Sequence, residues 1–413
     1  MPASGHAAPR LLGHRPFLLY FIARGASEFS YQITAVAVGW QVYALTGSAF
    51  DLGLIGLMQF APTALLVFIA GHAADRFDRR RVVQACQLAA ALAAAFLAWG
   101  SHQGWLTVGG IYAAVVVFGA AAAFEGPAVS AMLPGVAPED QLQQASAQSY
   151  GFSQLATIAG PALGGLLYAL TPAAPYAVMA FFWLLALAIT GAIAIKRALV
   201  TDNPPSLSKL FDGIGFVRRN PAILGTISLD LFAVLLGGAT ALLPIYARDI
   251  LHTGPWGLGV LRGAPSIGAL IMTFVLGRYA IRRRAGMRMF QAVIAFGVAT
   301  VVFALSRELG LSILALAVLG AADTISVVIR ASLVQLATPD QMRGRVGAVN
   351  FLFIHASGQL GEFESGMTAA WLGAVPAALL GGLGTIAVAL LWMKLFPPLR
   401  RVNRFADVSV PVA

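Results

Sequence analysis

The chain has 413 residues, of which 59% are hydrophobic and only 11% charged, with a mean hydropathy of +0.80; soluble domains carry roughly 45–50% and about 25%, so an ordinary soluble enzyme is excluded. The apolar residues, about 244 in number, suffice for about twelve membrane-spanning helices of about 20 residues each. The lone cysteine, Cys86, sits in an apolar run as a buried thiol and excludes a disulfide scaffold, and the net charge of +10 falls in short basic runs between apolar stretches, which reads as membrane topology and not as a nucleic-acid face.

Windows of about 19 residues predict spans over 17–43, 52–72, 82–100, 106–125, 149–169, 176–195, 221–247, 257–277, 288–305, 309–329, 347–370 and 373–395. No cleavable signal peptide is expected before the first of them. Sorting the 27 Lys and Arg residues by this count leaves only Arg24, Arg248, Arg262 and Arg307 off the cytoplasmic side. Under the positive-inside rule the expectation is a multi-pass membrane protein with both termini cytoplasmic. Asp202-Asn203-Pro204-Pro205 stops helix formation and divides the chain into a bundle over 1–197, a linker over 198–220, a second bundle over 221–396 and a tail over 397–413. Within the linker, Leu207, Leu210, Phe211, Ile214 and Val217 recur at helical spacing. They predict an amphipathic helix on the cytoplasmic membrane surface, with a soluble linker helix as the alternative.

The two halves share an internal repeat. Ser130–Leu142 aligns with Arg330–Met342 at an offset of 200 residues, with identities at Ala131/Ala331, Leu133/Leu333, Ala137/Ala337, Asp140/Asp340 and Gln141/Gln341. Both windows follow the fourth span of their half, as a duplicated transporter requires.

Between spans two and three, Gly71-His72-Ala73-Ala74-Asp75-Arg76-Phe77-Asp78-Arg79-Arg80-Arg81 resembles the G-x-x-x-D-R-x-G-R-R signature of the major facilitator superfamily, with Asp78 where the family usually has glycine. The resemblance implies an all-α membrane protein with twelve transmembrane helices in two pseudo-symmetric six-helix bundles, alternating access, and a monomer. It also implies that Gly71, Asp75, Arg76, Arg79 and Arg80 form a latch on the cytoplasmic side; plain topological anchoring is the alternative. In span five, Gly160-Pro161-Ala162-Leu163-Gly164-Gly165 is similar to the antiporter motif of that superfamily, with Ala156 in place of a glycine. Three stretches, Phe124–Ala145, Leu243–Ala269 and Gly358–Gly366, resemble the branch of enterobactin-type siderophore exporters and macrolide-efflux pumps.

Ionisable residues inside a membrane are costly and face a cavity or a partner. Arg24 and Glu28 are four apart on span one and either neutralise each other or line the cavity. Asp230 has no partner within a turn on its own helix, which favours a cavity role over a buried pair. On span eleven, His355, Gln359, Glu362 and Gly366 form one polar stripe, while Ser357, Gly361, Glu364 and Thr368 form another about 200° away. Glu362 is the favoured cavity acid, Glu364 is expected to bond a neighbouring helix, and His355 is a minor candidate. Glu125, which ends span four, and Asp323, in span ten, lie nearer the cytoplasm and are expected to contact the arginine loops as gate residues. The chain has no phosphate-loop, metalloprotease or hydrolase motif, so no enzyme, metal or cofactor is expected. The expected task is proton-coupled export of a small organic compound, a siderophore-like metabolite or a drug, with small-molecule substrate, protons and membrane lipids as partners and no nucleic acid. Uptake or lipid movement by the same fold, and a non-transporting receptor or scaffold, remain as alternatives.

Overall fold

A helix that is apolar on every face needs lipid or protein all around it, and in lipid its backbone has no partner but itself. The computed structural model, which describes residues 11–194, 207–279, 281 and 283–403, is accordingly helical, with no strand among the described residues. The first half consists of α1 (Arg15–Thr46), α2 (Ala49–Arg76), α3 (Arg79–Gln103), α4 (Val108–Val136), α5 (Leu142–Leu170) and α6 (Ala174–Gly191). After α7 (Leu207–Arg219), the seventh span is broken. It comprises α8 (Pro221–Leu236), a 3-10 turn at Ala239–Leu242, the short α9 (Leu243–Ile245) and a π-helical turn at Tyr246–Ile250. Then follow α10 (Gly254–Arg278), α11 (Ala285–Leu305), α12 (Leu309–Ala337), α13 (Arg343–Leu372), α14 (Ala374–Leu395) and α15 (Pro397–Arg401).

Local sequence explains the boundaries. Gly47 and Gly104 take left-handed φ values of 61° and 73° and end α1 and α3. Asp78 accepts a hydrogen bond from the Arg80 backbone N–H at 3.0 Å and caps α3. The acid that replaces the family's glycine thus starts the next helix. Asn220 caps α8 in the same way, through the N–H groups of Ala222 and Ile223, with Pro221 in the first turn.

Twelve long helical segments match the twelve expected spans. Among the described residues, ten of them are long and apolar enough to cross a membrane by composition alone; α1 and α13 carry polar and ionisable side chains in their interiors. Three predicted ends miss by more than four residues. Span four was expected to stop at 125, span ten at 329 and span five to start at 149, but α4 continues to Val136, α12 to Ala337, and α5 starts at Leu142. Glu125 and Arg330 therefore lie inside helices.

The halves repeat one packing plan. In the first, α1 packs on α5 and α6, α2 on α4, and α3 on α4 and α6; in the second, α8 packs on α13 and α14, α10 on α12, and α11 on α12 and α14. Between halves, α2 packs on α13 and α5 on α10, which are equivalent pairings with the halves exchanged. The repeat noted in the sequence is visible as structure. α4 ends at Val136, just before Ala137, and α12 ends at Ala337, and a proline carbonyl then accepts the last N–H of a 3-10 turn that leads into the fifth helix, Gln141 to Pro138 at 3.0 Å and Met342 to Pro339 at 2.9 Å. These turns, Glu139–Gln141 and Asp340–Met342, are offset by one residue more than the identities suggest.

Of the apolar stripe expected on α7, Val217 clusters with Ile223 and Ile227 of α8 and with Val346 and Val349 of α13, and Ile214 packs against the same cluster, while the side chains of Leu207, Leu210 and Phe211 lie outside the described residues. Asp212 adds an ion pair to Arg345 at 3.2 Å.

Candidate functional site

Two glycine seams bring the halves together. On one, a Cβ at Gly366 would lie 2.5 Å from the Gly53 Cα, and one at Gly56 would lie 2.7 Å from the Gln359 carbonyl oxygen, so α2 and α13 touch backbone to backbone. On the other, a Cβ at Gly165 would lie 2.5 Å from the Pro255 carbonyl oxygen, and one at Gly259 would lie 2.5 Å from that of Pro161. Gly160 and Gly164 instead fit α5 against Gln32 and Ile33 of α1. The span-five motif thus serves both faces of its helix.

Both seams lie towards the end of the bundle where α1 meets α2 and the π-helical turn meets α10. There Tyr43 donates its hydroxyl to Asp249, Arg248 donates to the Tyr43 carbonyl at 3.2 Å, and the guanidinium lies 5.5 Å from the Tyr43 ring centroid. An apolar cluster that includes Val36, Tyr43 and Leu52 of the first half and Leu243, Tyr246 and Leu258 of the second completes the seal.

Below this seal lies a cavity between the halves. Tyr31 and Thr34 of α1, Gln59 of α2, Phe118 of α4, Arg262 of α10 and Glu362 of α13 are among the residues that line it. Glu362 accepts from Arg262 at 3.4 Å, and the two side chains are 22% and 24% exposed. The first stripe on α13 accordingly faces α2 and the cavity, whereas Gly361 of the second stripe lies against α8.

The other charged residues fall in different places. Asp230 is not presented to the cavity. It forms a buried ion pair with Arg330 of α12, and Asp323 stands 3.8 Å from the same guanidinium. Asp323 therefore pairs within its own helix and not with an arginine loop. Glu364 does not reach a neighbouring helix either; it accepts from Thr368 at 2.9 Å and Ser365 at 3.4 Å on its own. Arg24 does not pair with Glu28 but donates to Tyr20 at 3.1 Å and Ser153 at 3.3 Å. No hydrogen bond or ion pair reaches Glu28 among the described residues. Glu125 meets no arginine. It is buried in the first half, accepting from Tyr31 at 3.0 Å and Gln87 at 3.3 Å.

Of the latch residues, Arg79 donates to the Ala131 carbonyl of α4 at 2.8 Å, and Arg80 donates to the Gly191 and Ile193 carbonyls at the end of α6. Both of these interactions stay within the first half, and those of Arg80 satisfy carbonyls at the end of α6. Gly71, Asp75 and Arg76 lie on α2 and His355 on α13, but their side chains are outside the described residues.

Sequence reasoning missed Arg262 and Arg330. Arg262 was set aside as an exception to the charge bias although it stands six residues into a predicted span, and Arg330 was assigned to a loop because it follows a predicted span end.

The family model of the Major Facilitator Superfamily matches residues 20–362. The chain is 25% identical over 400 residues to the enterobactin exporter EntS of Citrobacter koseri, covering 95% of this chain and 94% of that one. It is 28% identical over 368 residues to the multidrug efflux pump Tap of Mycolicibacterium fortuitum, covering 85% and 88%. Among solved structures, a bacterial homologue of the human lysosomal transporter Spinster, inward-facing and unoccupied, superposes with a TM-score of 0.75 over 98% of this chain and 100% of that one at 12% identity. The nucleoside transporter NupG gives 0.73 over 92% and 99% at 13% identity. Fold, repeat and glycine seams agree with these matches: the chain belongs to the major facilitator superfamily.

Proposed function

We propose that this transporter is a proton-coupled exporter of a small organic compound, working by alternating access from the bacterial inner membrane. The observation that carries the reading is the Arg262–Glu362 pair, the cation and anion that face the cavity between the halves. Each partner neutralises the other in a site shielded from bulk water. The Glu362 carboxylate can exchange the Arg262 guanidinium for a cationic or hydroxyl-bearing group of the substrate, which leaves the guanidinium, a rigid fork of donors, for an oxygen of the same molecule. A proton on Glu362 withdraws that acceptor and releases the substrate, so proton and substrate compete for one carboxylate and are not carried together. Each binds as the other leaves, in opposite directions across the membrane, which is antiport. The export direction and the substrate class draw on the relatives, whose names describe efflux of enterobactin and of drugs. The basic loops support cytoplasmic termini, and on that reading the sealed end faces outward and the cavity is loaded from inside. A monomer holds every element of this scheme.

The test uses inverted membrane vesicles with an acidified interior and a pH-sensitive dye, to which enterobactin, a macrolide and a cationic dye are added in turn. The expected result is that at least one compound collapses the gradient in the wild type, while Glu362→Gln loses the response and Arg262→Ala weakens it at least about tenfold, the effect of one lost interaction of about 1.4 kcal/mol. Transport of labelled compound with no proton movement in the wild type would overturn the coupling.

A further inference from the structure

Glu125 is a carboxyl group that the cavity pair does not use. It is 5% exposed on α4, 17 residues after the helix starts at Val108 and well away from either loop. Its partners come from two other helices. Tyr31 of α1 donates to one carboxyl oxygen at 3.0 Å, and Gln87 of α3 donates to the other at 3.3 Å, while also donating to Ser27 of α1 at 3.2 Å. The titratable groups around it are Tyr31 and Glu28 on α1 and Cys86 on α3. Among the described residues, α2, α5 and α6 bring it no charged group, and no Lys, Arg or His pairs with it.

That environment differs in kind from those of Asp230 and Glu362. Asp230 and Glu362 each face an arginine, which donates only and holds a carboxylate in its charged form. Every partner of Glu125 is a hydroxyl or an amide, and each of these can both donate and accept. A carboxylate accepts from the Tyr31 hydroxyl and the Gln87 amide nitrogen. A carboxylic acid must instead donate once, and the acceptor is at hand, because the Gln87 Oε1 atom is buried and has no partner. Half a turn of the amide puts Oε1 where Nε2 now stands, opposite both Glu125 and Ser27. The Ser27 hydroxyl then donates where it had accepted. One amide atom is idle in either arrangement, so the network holds both protonation states with the same number of hydrogen bonds. A site built to keep a permanent charge has no need of such reversible partners.

Tyr31 connects this network to the cavity, since it lines that space and its hydroxyl donates to Glu125. It also packs edge-on to Trp183 at 5.3 Å, and Trp183 in turn stacks on Phe118, a second cavity residue, at 5.1 Å. We propose that Glu125 is a proton-binding site of the first half, reached from the central cavity through the Tyr31 hydroxyl. In the loading step the phenol passes its proton to the Glu125 oxygen it bonds and takes one from a hydronium ion in the cavity, and a half-turn of the neutral carboxyl carries the acid proton to the side that faces Gln87, so the phenol is regenerated and one proton has moved inward. With Glu125 neutral, the Tyr31 hydroxyl no longer faces an anion and is free to bond within the cavity. The site therefore lies in the half opposite to Arg262 and Glu362, and a proton bound there alters the wall that a substrate touches. This inference goes beyond the exchange at Arg262 and Glu362 and does not depend on it.

Infrared difference spectroscopy of the full-length protein in lipid nanodiscs, between alkaline and acidic buffer and without substrate, tests it. The expected result is a carboxyl C=O band of a protonated acid that is present in the wild type and in Glu362→Gln and is lost in Glu125→Gln. Tyr31→Phe is expected to keep the band but displace its titration midpoint, and Gln87→Leu to change its frequency. An unchanged set of bands in a folded Glu125→Gln overturns the proposal. If that variant does not fold, unchanged midpoint and frequency in Tyr31→Phe and Gln87→Leu overturn it equally. The spectrum reports proton binding alone, so this result and the vesicle result can fail separately.

Discussion

Asp230 and Arg330 are each 8% exposed, too little for either charge to stand alone. The guanidinium also has Asp323 at 3.8 Å, half-exposed on the same helix, so the cluster carries two acids and one base beside a small cavity. Removing one member of a buried pair leaves an uncompensated charge, which costs about 3–5 kcal/mol, whereas replacing both with apolar groups of similar volume is often neutral. Asp230→Asn is therefore expected to lower the melting temperature in detergent clearly, with part of the loss offset by Asp323. Arg330→Met should lower it as well, and Asp230→Leu combined with Arg330→Met should recover most of the difference. Melting temperatures that fall additively in the double variant would show that the two side chains act independently. The contrast with Glu362 is instructive. Both acids face an arginine, but the Arg262–Glu362 pair is about a quarter exposed to a cavity and can exchange partners, while the Asp230 pair is packed between α8 and α12 as a brace.

At the scale of elements, glycine placement decides how closely the halves can meet. Gly165 on α5 and Gly259 on α10 are in reciprocal contact with the opposite backbone, and carbonyl oxygens cannot move aside as a side-chain tip can. Overpacking of this kind costs about 1–3 kcal/mol, and the halves can relieve it only by parting at the sealed end. Gly165→Ala and Gly259→Ala are expected to add a longer-distance population between spin labels at Leu170 of α5 and Trp256 of α10. Gly151→Ala, on the same helix with nothing within 4 Å of the added methyl, is expected to add none. A single unchanged distance in all three variants would mean that the seam is not a stop. The sequence made the span-five glycines visible as a motif, but not their partner Gly259, because reciprocal fit between distant helices has no local signature. The same limit explains the misplaced ends of α4 and α12. Hydropathy reports where lipid stops and charge begins, so Glu125 and Arg330 marked the predicted ends. The backbone has no reason to stop there, since both side chains find partners inside the protein. The number of spans, the division into halves and the cavity-facing stripe of α13 were legible because each depends on composition or on periodicity along one helix.

The whole molecule is two copies of one packing plan joined by two equivalent seams, and the wall of its cavity is drawn unequally from them. The first half brings Tyr31, Thr34, Gln59 and Phe118; the second brings the charged pair. Alternating access in such a molecule requires the two ends to be sealed by interactions of comparable and modest strength, because a seal worth many kcal/mol would trap one state. The sealed end meets this requirement. Apart from its apolar cluster, it is held by the Tyr43–Asp249 hydrogen bond and by Arg248, which donates to the Tyr43 carbonyl and covers the Tyr43 ring. A hydrogen bond to a charged group contributes about 1.5–3 kcal/mol, so losing one moves the balance between end-states about tenfold or more. Tyr43→Phe removes the hydroxyl and keeps the ring beneath Arg248, while Asp249→Ala removes the acceptor and also frees Arg248 from an acid 3.9 Å away. Both should increase the fraction of molecules open at this end, Asp249→Ala the more, as read from spin labels at Leu45 and Trp256. The same two variants should leave the pairing of α2 with α4 and of α10 with α12 intact, because these lie within the halves and move with them. If neither variant changes the distance distribution, the seal rests on the apolar cluster alone, and substitution of Leu52 or Leu258 by alanine should then open it where the polar changes did not.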